Sequence, residues 1–546
     1  MKSFKFLYRN LDHFRNLFWI CVFAAFLDGI VQFLIPILLT QFTKHELTQA
    51  RFQQLAPYIV ACFVFSLVFQ WIIRRWGEAL AYKFSDYLRL KYFEKLECLP
   101  LNVLQRHHSG YLHSLVDRIA QGGQSLLFQC IWLLAHGAAT LSLFFIFTAK
   151  ESVSIAGFNL LMMLFFLYVS VQFSKKMVPL AEALNFAHAK LVGRFVDLMS
   201  NVQTIQRLGV FSFANTQLSA EVKDNAHCIQ LLQNFHANRW FCLHLIFGAC
   251  FLLTIVYLLY LITLGSASAS ILILFIWAFG VVRSQIERFS ELIKSLLELD
   301  AYVASLNEIL QSIESDTEQV SAIASFDVIS LSDIVVRYEG ATQNISIPLF
   351  ELRRGEKVLV TGESGQGKST LLDVLGYLQK PQAGSVAIDG RSYRELGVAA
   401  IRSQIAIVSQ EVELFDMSVR DNLVMGAEIS EQSILELLID LQLGPWFESL
   451  PDGLDTLVGE KGVKLSVGQK QRVNIARGLL LDRPVILFDE PTSHLDQNTE
   501  EAVIAVLEKW LGEKTVVFVS HRPEIGRLCG AHYRFESHSL VRCSCP

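Results

Sequence analysis

The sequence predicts two fused parts: a polytopic α-helical membrane domain, followed by an α/β domain built around a phosphate-binding loop. Three observations carry this. Apolar runs long enough to cross a bilayer crowd the first 285 or so residues. A glycine-rich loop sits between an apolar strand and a helix at 358–375, and a second strand ends in paired carboxylates at 489–490. The composition agrees. The 546 residues are 52% hydrophobic and 18% charged, with 40 Phe, whereas soluble domains carry about a quarter charged residues. The net charge of -5 gives no sign of a nucleic-acid partner.

Six spans are expected near 17–40, 55–75, 126–148, 153–173, 241–264 and 268–286; the last is the shortest, with Arg283 near its end. Short connections at 41–54, 149–152 and 265–267 alternate with two polar stretches, 76–125 and 174–240. These have helical periodicity and few Gly or Pro, so the membrane helices should extend far beyond the bilayer. The long stretches hold Arg89, Lys91, Lys95, Arg106, Arg118, Lys175, Lys176, Lys190, Arg194 and Arg207; the short ones hold only Lys44, Arg51 and Lys150. Positive charge stays inside, which puts the long stretches and both termini in the cytoplasm. The first apolar run is too long for a signal-peptide core and no small-residue cleavage site follows it. An amphipathic helix on the inner face is expected before it.

Asp28, Gln32, Gln129, His136 and His244 stand at membrane depth. Ionisable groups there point to a cavity, with Asp28 and His136 as candidates for substrate contact; a hydrogen bond between packed helices is the alternative. Of ten cysteines, Cys21, Cys62, Cys130, Cys242 and Cys250 lie in apolar runs, as small hydrophobes do. Cys543 and Cys545 form a Cys-Ser-Cys tail that either binds a soft metal or has no structure. No disulfide is expected in a cytoplasmic tail.

A helical linker over 291–325 divides the membrane domain, 1–290, from the α/β domain, 326–546. "VLVTGESGQGKSTLLDVL" has the strand–loop–helix context in which Gly362, Ser364, Gly365 and Gly367 let backbone N–H groups close on phosphate oxygens. Lys368 reaches the β- and γ-phosphates, Ser369 holds Mg²⁺, and Thr370 follows in the same turn. In "RPVILFDEPTSHLD", Asp489 is placed to hold Mg²⁺ and Glu490 to take a proton from an attacking water.

Between these halves, "LSVGQ" (Leu465 to Gln469) resembles the "LSGGQ" signature of the ATP-binding cassette proteins. The resemblance covers about 326–536. It implies that Tyr338 stacks on adenine, that Gln410 senses Mg²⁺ and the γ-phosphate, that "SHLD" (Ser493 to Asp496) is the D-loop, and that His521 is the switch histidine. It also implies that Ser466, Gly468, Gln469 and Asp496 grip ATP held by a second cassette, so that the chain works as a dimer, a homodimer first and a heterodimer second. The fused layout resembles a half-size exporter of the type IV transporter fold, of bacterial inner-membrane type, moving a small molecule, peptide or lipid with ATP and Mg²⁺. Two runner-up readings are a subunit of a heterodimeric thiol or haem exporter and an ATP-gated channel or regulator. "LPLNVLQRHHSGYLHSLVDRI", with Gly110 to Asp117, and "VDLMSNVQTIQRLGVF" resemble the two intracellular loops that touch the cassettes.

Two positions depart from the family. Val467 replaces a signature glycine, which is costly if that position needs φ > 0. In "DTLVGEKGVKLS", Gly459, Glu460 and Gly462 match an exporter segment, Lys461 is conservative, and Leu457 stands where a Glu is usual.

Overall fold

The computed structural model describes residues 2–43, 49–100, 103–104, 109–264, 270–310, 326–338, 343–458 and 465–543. The chain divides into two compact units, residues 1–97 with 107–310 and residues 98–106 with 311–546.

The first unit is helical throughout its described residues. An amphipathic N-terminal helix, Lys2–Asn10, buries Leu7 and Asn10. Among the described residues, five helices are long and apolar enough to cross a membrane: Asp12–Leu38, Gln53–Glu97, Gly110–Lys150, Val153–Ser200 and Phe211–Thr263. The sixth predicted run lies in the Ser270–Leu310 helix. Helix is the expected answer for such sequences, because hydrocarbon offers no partner to a free backbone N–H or C=O. The Val153–Ser200 and Phe211–Thr263 helices have 48 and 53 residues. At about 1.5 Å per residue each is more than twice the ~30 Å hydrocarbon thickness. A seven-residue helix, Val202–Leu208, joins them, ended by Gly209 at φ 67. The boundary read at 290 falls inside the uninterrupted Ser270–Leu310 helix. Residues 311–325 of the expected linker lie outside the described residues.

Among the described residues, π-helical turns lie at Ile73–Glu78 and Ile131–Gly137. Such turns concentrate at functional sites. The core of this unit is aromatic, with Phe33, Phe144, Phe166, Phe275 and Phe279 buried together.

The second unit has strands β1 (Val328–Val336), β2 (Ile345–Arg353), β3 (Lys357–Thr361), β4 (Ala383–Ile388), β5 (Arg391–Ser392), β6 (Ile405–Val408), β7 (Met417–Ser418), β8 (Leu457–Val458), β9 (Val485–Asp489), β10 (Thr515–Val519), β11 (Ala531–Glu536) and β12 (Ser539–Arg542). Ten form one sheet in the order β5-β4-β1-β2-β12-β11-β3-β10-β9-β6, and β7 pairs with β8. The β5-β4-β1-β2 side is antiparallel, and β11, β3, β10, β9 and β6 run parallel. Continuous apolar runs such as Val485 to Phe488 fit central parallel strands buried on both faces.

This order positions the chemistry. β3, β10, β9 and β6 are neighbours and parallel, so the loops leaving their C-terminal ends lie side by side. Those loops carry Lys368, His521, Asp489 with Glu490, and Gln410 respectively.

Candidate nucleotide site and membrane cavity

The loop after β3 is closed by three glycines in backbone conformations that disfavour side chains: Gly362 at φ 144, Gly365 at φ 80 and Gly367 at φ 119. At Gly367 a Cβ would meet Ile345 Cγ2 at 2.6 Å, so the strand packed beneath also requires the glycine. Nothing lies within 4 Å of a Cβ at Gly365, where the cradle is open. Lys368, at the first turn of the Lys368–Leu375 helix, donates to the carbonyls of Gly362 (2.7 Å) and Glu363 (3.0 Å) and to His521 Nε2 (2.9 Å). Burial lowers its pKa, and Glu490 and Asp489 oppose that shift. The ammonium therefore spans a carbonyl-lined loop that terminal phosphate oxygens would engage.

Glu490 stands opposite. Gln410 Nε2 donates to its Oε2 at 3.4 Å, and His521 Nε2 lies 3.6 Å from its Oε1. Asp489 accepts the Ser369 hydroxyl; burial raises its pKa, with Glu490 adding to the rise. Ser369, Asp489 and Gln410 offer hard oxygen donors, the set that suits Mg²⁺. Tyr338 is 38% exposed, with its hydroxyl 3.1 Å from Thr370 Oγ1, so one ring face is available beside the loop. Ser364 lies exposed on the same loop.

Ser466 is the N-cap of the Val467–Leu480 helix, in a reciprocal capping box with Gln469. Val467 is the first helical residue and has no positive φ, so the cost weighed for a β-branched side chain there does not arise. A Cβ on Gly468 would meet nothing closer than 3.4 Å, so its own chain does not require glycine there. Asp496 caps the Gln497–Leu511 helix through Thr499 N. Gly459, Glu460, Lys461 and Gly462 lie outside the described residues, as does Cys545; Leu457 is exposed on β8.

The motif reading missed the buried polar residues that hold these loops. Gln471 touches Glu490, Ser493 and His494. Glu500, 3% exposed, accepts from Thr492 and pairs with Arg522 at 3.3 Å. Arg477 donates to Asn422 and to Glu413 O. The available signal was a Gln or Arg among apolar helix neighbours, which announces burial without naming the partner.

In the membrane unit, Asp28 and His136 meet. Asp28 accepts from Ser66 (2.6 Å) and Gln32 (3.0 Å), and His136 Nε2 lies 3.6 Å from its Oδ2. Gln285 Nε2 is 3.0 Å from His136 Nδ1. His136 lies in the Ile131–Gly137 π turn, and its carbonyl would be 2.8 Å from a Cβ on Gly29, so two helices close tightly there. His136 and Gln285 line a cavity of about 950 Å³, with Gln129, Trp132, Arg74 and Arg288 among the other walls. Asp28 does not reach the cavity surface; it sits behind His136 and Gln32.

A phosphate cradle, a paired-carboxylate strand end and a polytopic helical unit on one chain define an ATP-driven membrane transporter. Two family models match, one for the ABC transporter transmembrane region over 18–286 and one for the ABC transporter cassette over 345–493. The chain belongs to the ABC transporters, with a transmembrane region and an ATP-hydrolysing cassette fused on one chain, the half-size layout. It is 24% identical over 93% of its length to an uncharacterized ABC transporter ATP-binding protein of Bacillus subtilis, of which it covers 90%. It is 25% identical over 80% of its length to an ATP-dependent lipid A-core flippase of Syntrophus aciditrophicus, covering 73% of it. A bacterial Atm1-family ABC exporter with ATP bound has the same fold: TM-score 0.84, 19% identity, 98% of this chain and 94% of that one.

Proposed function

We propose that two copies of this chain sandwich two ATP molecules and export an amphipathic substrate from the cytoplasmic side of a bacterial inner membrane, with both termini in the cytoplasm. The observation that supports this most is the convergence of Lys368, His521, Glu490 and Gln410. Lys368 and the loop glycines hold the phosphates, and Tyr338 receives the adenine. Ser369, Asp489 and Gln410 hold Mg²⁺, which neutralises phosphate charge. Glu490 takes the proton of the attacking water, and His521 orders the γ-phosphate. Ser466, Gly468, Gln469 and Asp496 act on the partner's nucleotide, since each chain has one cradle and one signature. The intact Glu490 and His521 favour a homodimer over a pair with one silent site, and favour transport over gating.

The lipid A-core flippases among the relatives support an amphiphile as substrate. A cavity joining polar walls to Trp132, Phe128 and Phe166 suits one. The test of the dimer is complementation. Lys368→Ala chains and Ser466→Arg chains, each inactive alone, should regain partial ATPase when co-expressed, because one composite site is then built from two intact halves. No recovery in isolated mixed dimers would overturn the sandwich.

A further inference from the structure

The structure assigns to Gln471 the positioning of Glu490. The residue is 3% exposed, and its side-chain hydrogen-bonding groups are all used. Its Nε2 donates to Glu490 O (3.0 Å) and to Ser493 Oγ (3.3 Å), and its Oε1 accepts from His494 N (3.2 Å). One amide thus fixes the start and end of the turn from Glu490 to His494.

That turn needs fixing. Glu490 has φ 46, the left-handed region, which costs a non-glycine residue about 1–2 kcal/mol. Pro491 follows, and a residue before proline is driven toward extended backbone. Both effects pull the same peptide away from its observed conformation. Such a conformation persists only where surroundings over-determine it. Here the restraints on the Glu490 backbone are its N–H to Val519 O (2.9 Å), Ser493 N to its carbonyl (3.3 Å) and the Gln471 amide. Relaxation to extended backbone would swing the carboxylate out of the Lys368–His521–Gln410 group.

Gln471 also lies on the Val467–Leu480 helix, one turn past Ser466. The same side chain therefore ties the signature helix to the catalytic carboxylate of its own chain. Resting on the dimer proposed above, a signature helix seated on the partner's ATP would set the aim of its own Glu490.

The test uses the full-length protein in lipid nanodiscs. Gln471→Met keeps the length and removes the amide. Its kcat should fall between about tenfold and the ~10²-fold that a 1 Å misplacement can cost, with KM and Kd for ATP within about twofold of wild type. An unchanged kcat, or an equal loss of ATP affinity, would overturn the assignment. Gln471→Glu supplies a readout that a packing role does not move. Its protonated carboxyl supplies one O–H for the Glu490 carbonyl and an acceptor for His494 N, while its carboxylate repels the Glu490 carbonyl. The variant-to-wild-type ratio of kcat should rise as pH falls from about 8.5 to about 6. Glu490 and His494, the titratable groups beside this amide, are common to both proteins. A flat ratio would overturn the proposal, even if the Met variant fails to fold.

Mixed dimers locate the effect. With Gln471→Met on the Ser466→Arg chain, which supplies the working Glu490, activity should fall at least about tenfold; on the Lys368→Ala chain it should change less than about twofold. The reverse pattern would overturn positioning. Absence of any mixed-dimer activity would count against the dimer alone, since the pH and kcat arms do not depend on it.

Discussion

The two units each hold a carboxylate and a histidine 3.6 Å apart: Glu490 with His521, and Asp28 with His136. Their settings are opposite. The cassette pair is open, with side chains 24% and 49% exposed, and a lysine at 2.9 Å from the imidazole. The membrane pair is 0% and 3% exposed and is held by Ser66, Gln32 and Gln285. Water and a phosphate can approach Glu490, so its basicity is usable. Asp28 is enclosed, accepting from Gln32 on its own helix and from Ser66 on the next, with His136 beside it. The same two functional groups are open to solvent in one place and enclosed in the other, so only the cassette pair is accessible to water.

Replacing each acid by its amide sharpens this contrast. Glu490→Gln should lower ATPase by about 10²–10⁴-fold while ATP binding remains, because only the proton acceptor is lost. Near-wild-type turnover in the purified variant would remove Glu490 from its role. Asp28→Asn keeps an acceptor for Ser66 and places an amide N–H where a carboxyl oxygen accepts from Gln32. It should shift half-saturation for substrate-stimulated ATPase about tenfold, some 1.4 kcal/mol, with a smaller effect on thermal unfolding. If unfolding shifts and stimulation does not, the membrane pair serves packing alone.

A third carboxylate tests how enclosure acts within the cassette. Asp373 is pushed up to about 6 from 3.8 by burial, with Asp489 adding to the rise. A raised folded pKa favours the protonated form, so its stabilising contribution is complete below 3.8 and lost as pH rises through about 6. Asp373→Asn should therefore raise Tm near pH 8, by about 2–4 °C per kcal/mol recovered, and leave it unchanged near pH 4. An equal shift at both pH values would mean that volume, not charge, governs the site. The smallest effect is expected at Val467. Val467→Gly should change ATPase less than about twofold and cost the helix up to ~1 kcal/mol, since the backbone there is already helical. A large gain in activity would show that the closed dimer needs a conformation absent from the single chain.

Most of the nucleotide site was legible because its parts are local. Gly362 to Ser369 specify a loop by their own backbone preferences, and Val485 to Glu490 announce a buried strand with an acidic end. The spans were legible because bilayer thickness fixes a length that composition can reveal. Gln471, Glu500 and Arg477 were not, because their partners stand 8 to 64 residues away and only packing brings them together. The π turns were equally silent: "IRRWGE" and "IWLLAHG" read as ordinary helix. Asp28 and His136 could be singled out as costly, but only the fold shows that one sits behind the other.

The left-handed backbone of Glu490 has a consequence for the history of such chains. Glycine at that position would relieve about 1–2 kcal/mol of strain and remove the proposed proton acceptor. Stability and activity thus pull in opposite directions at one codon. A copy released from the demand for transport would drift toward the relaxed residue with no folding penalty to stop it. Laboratory selection for heat resistance alone should therefore silence this position early.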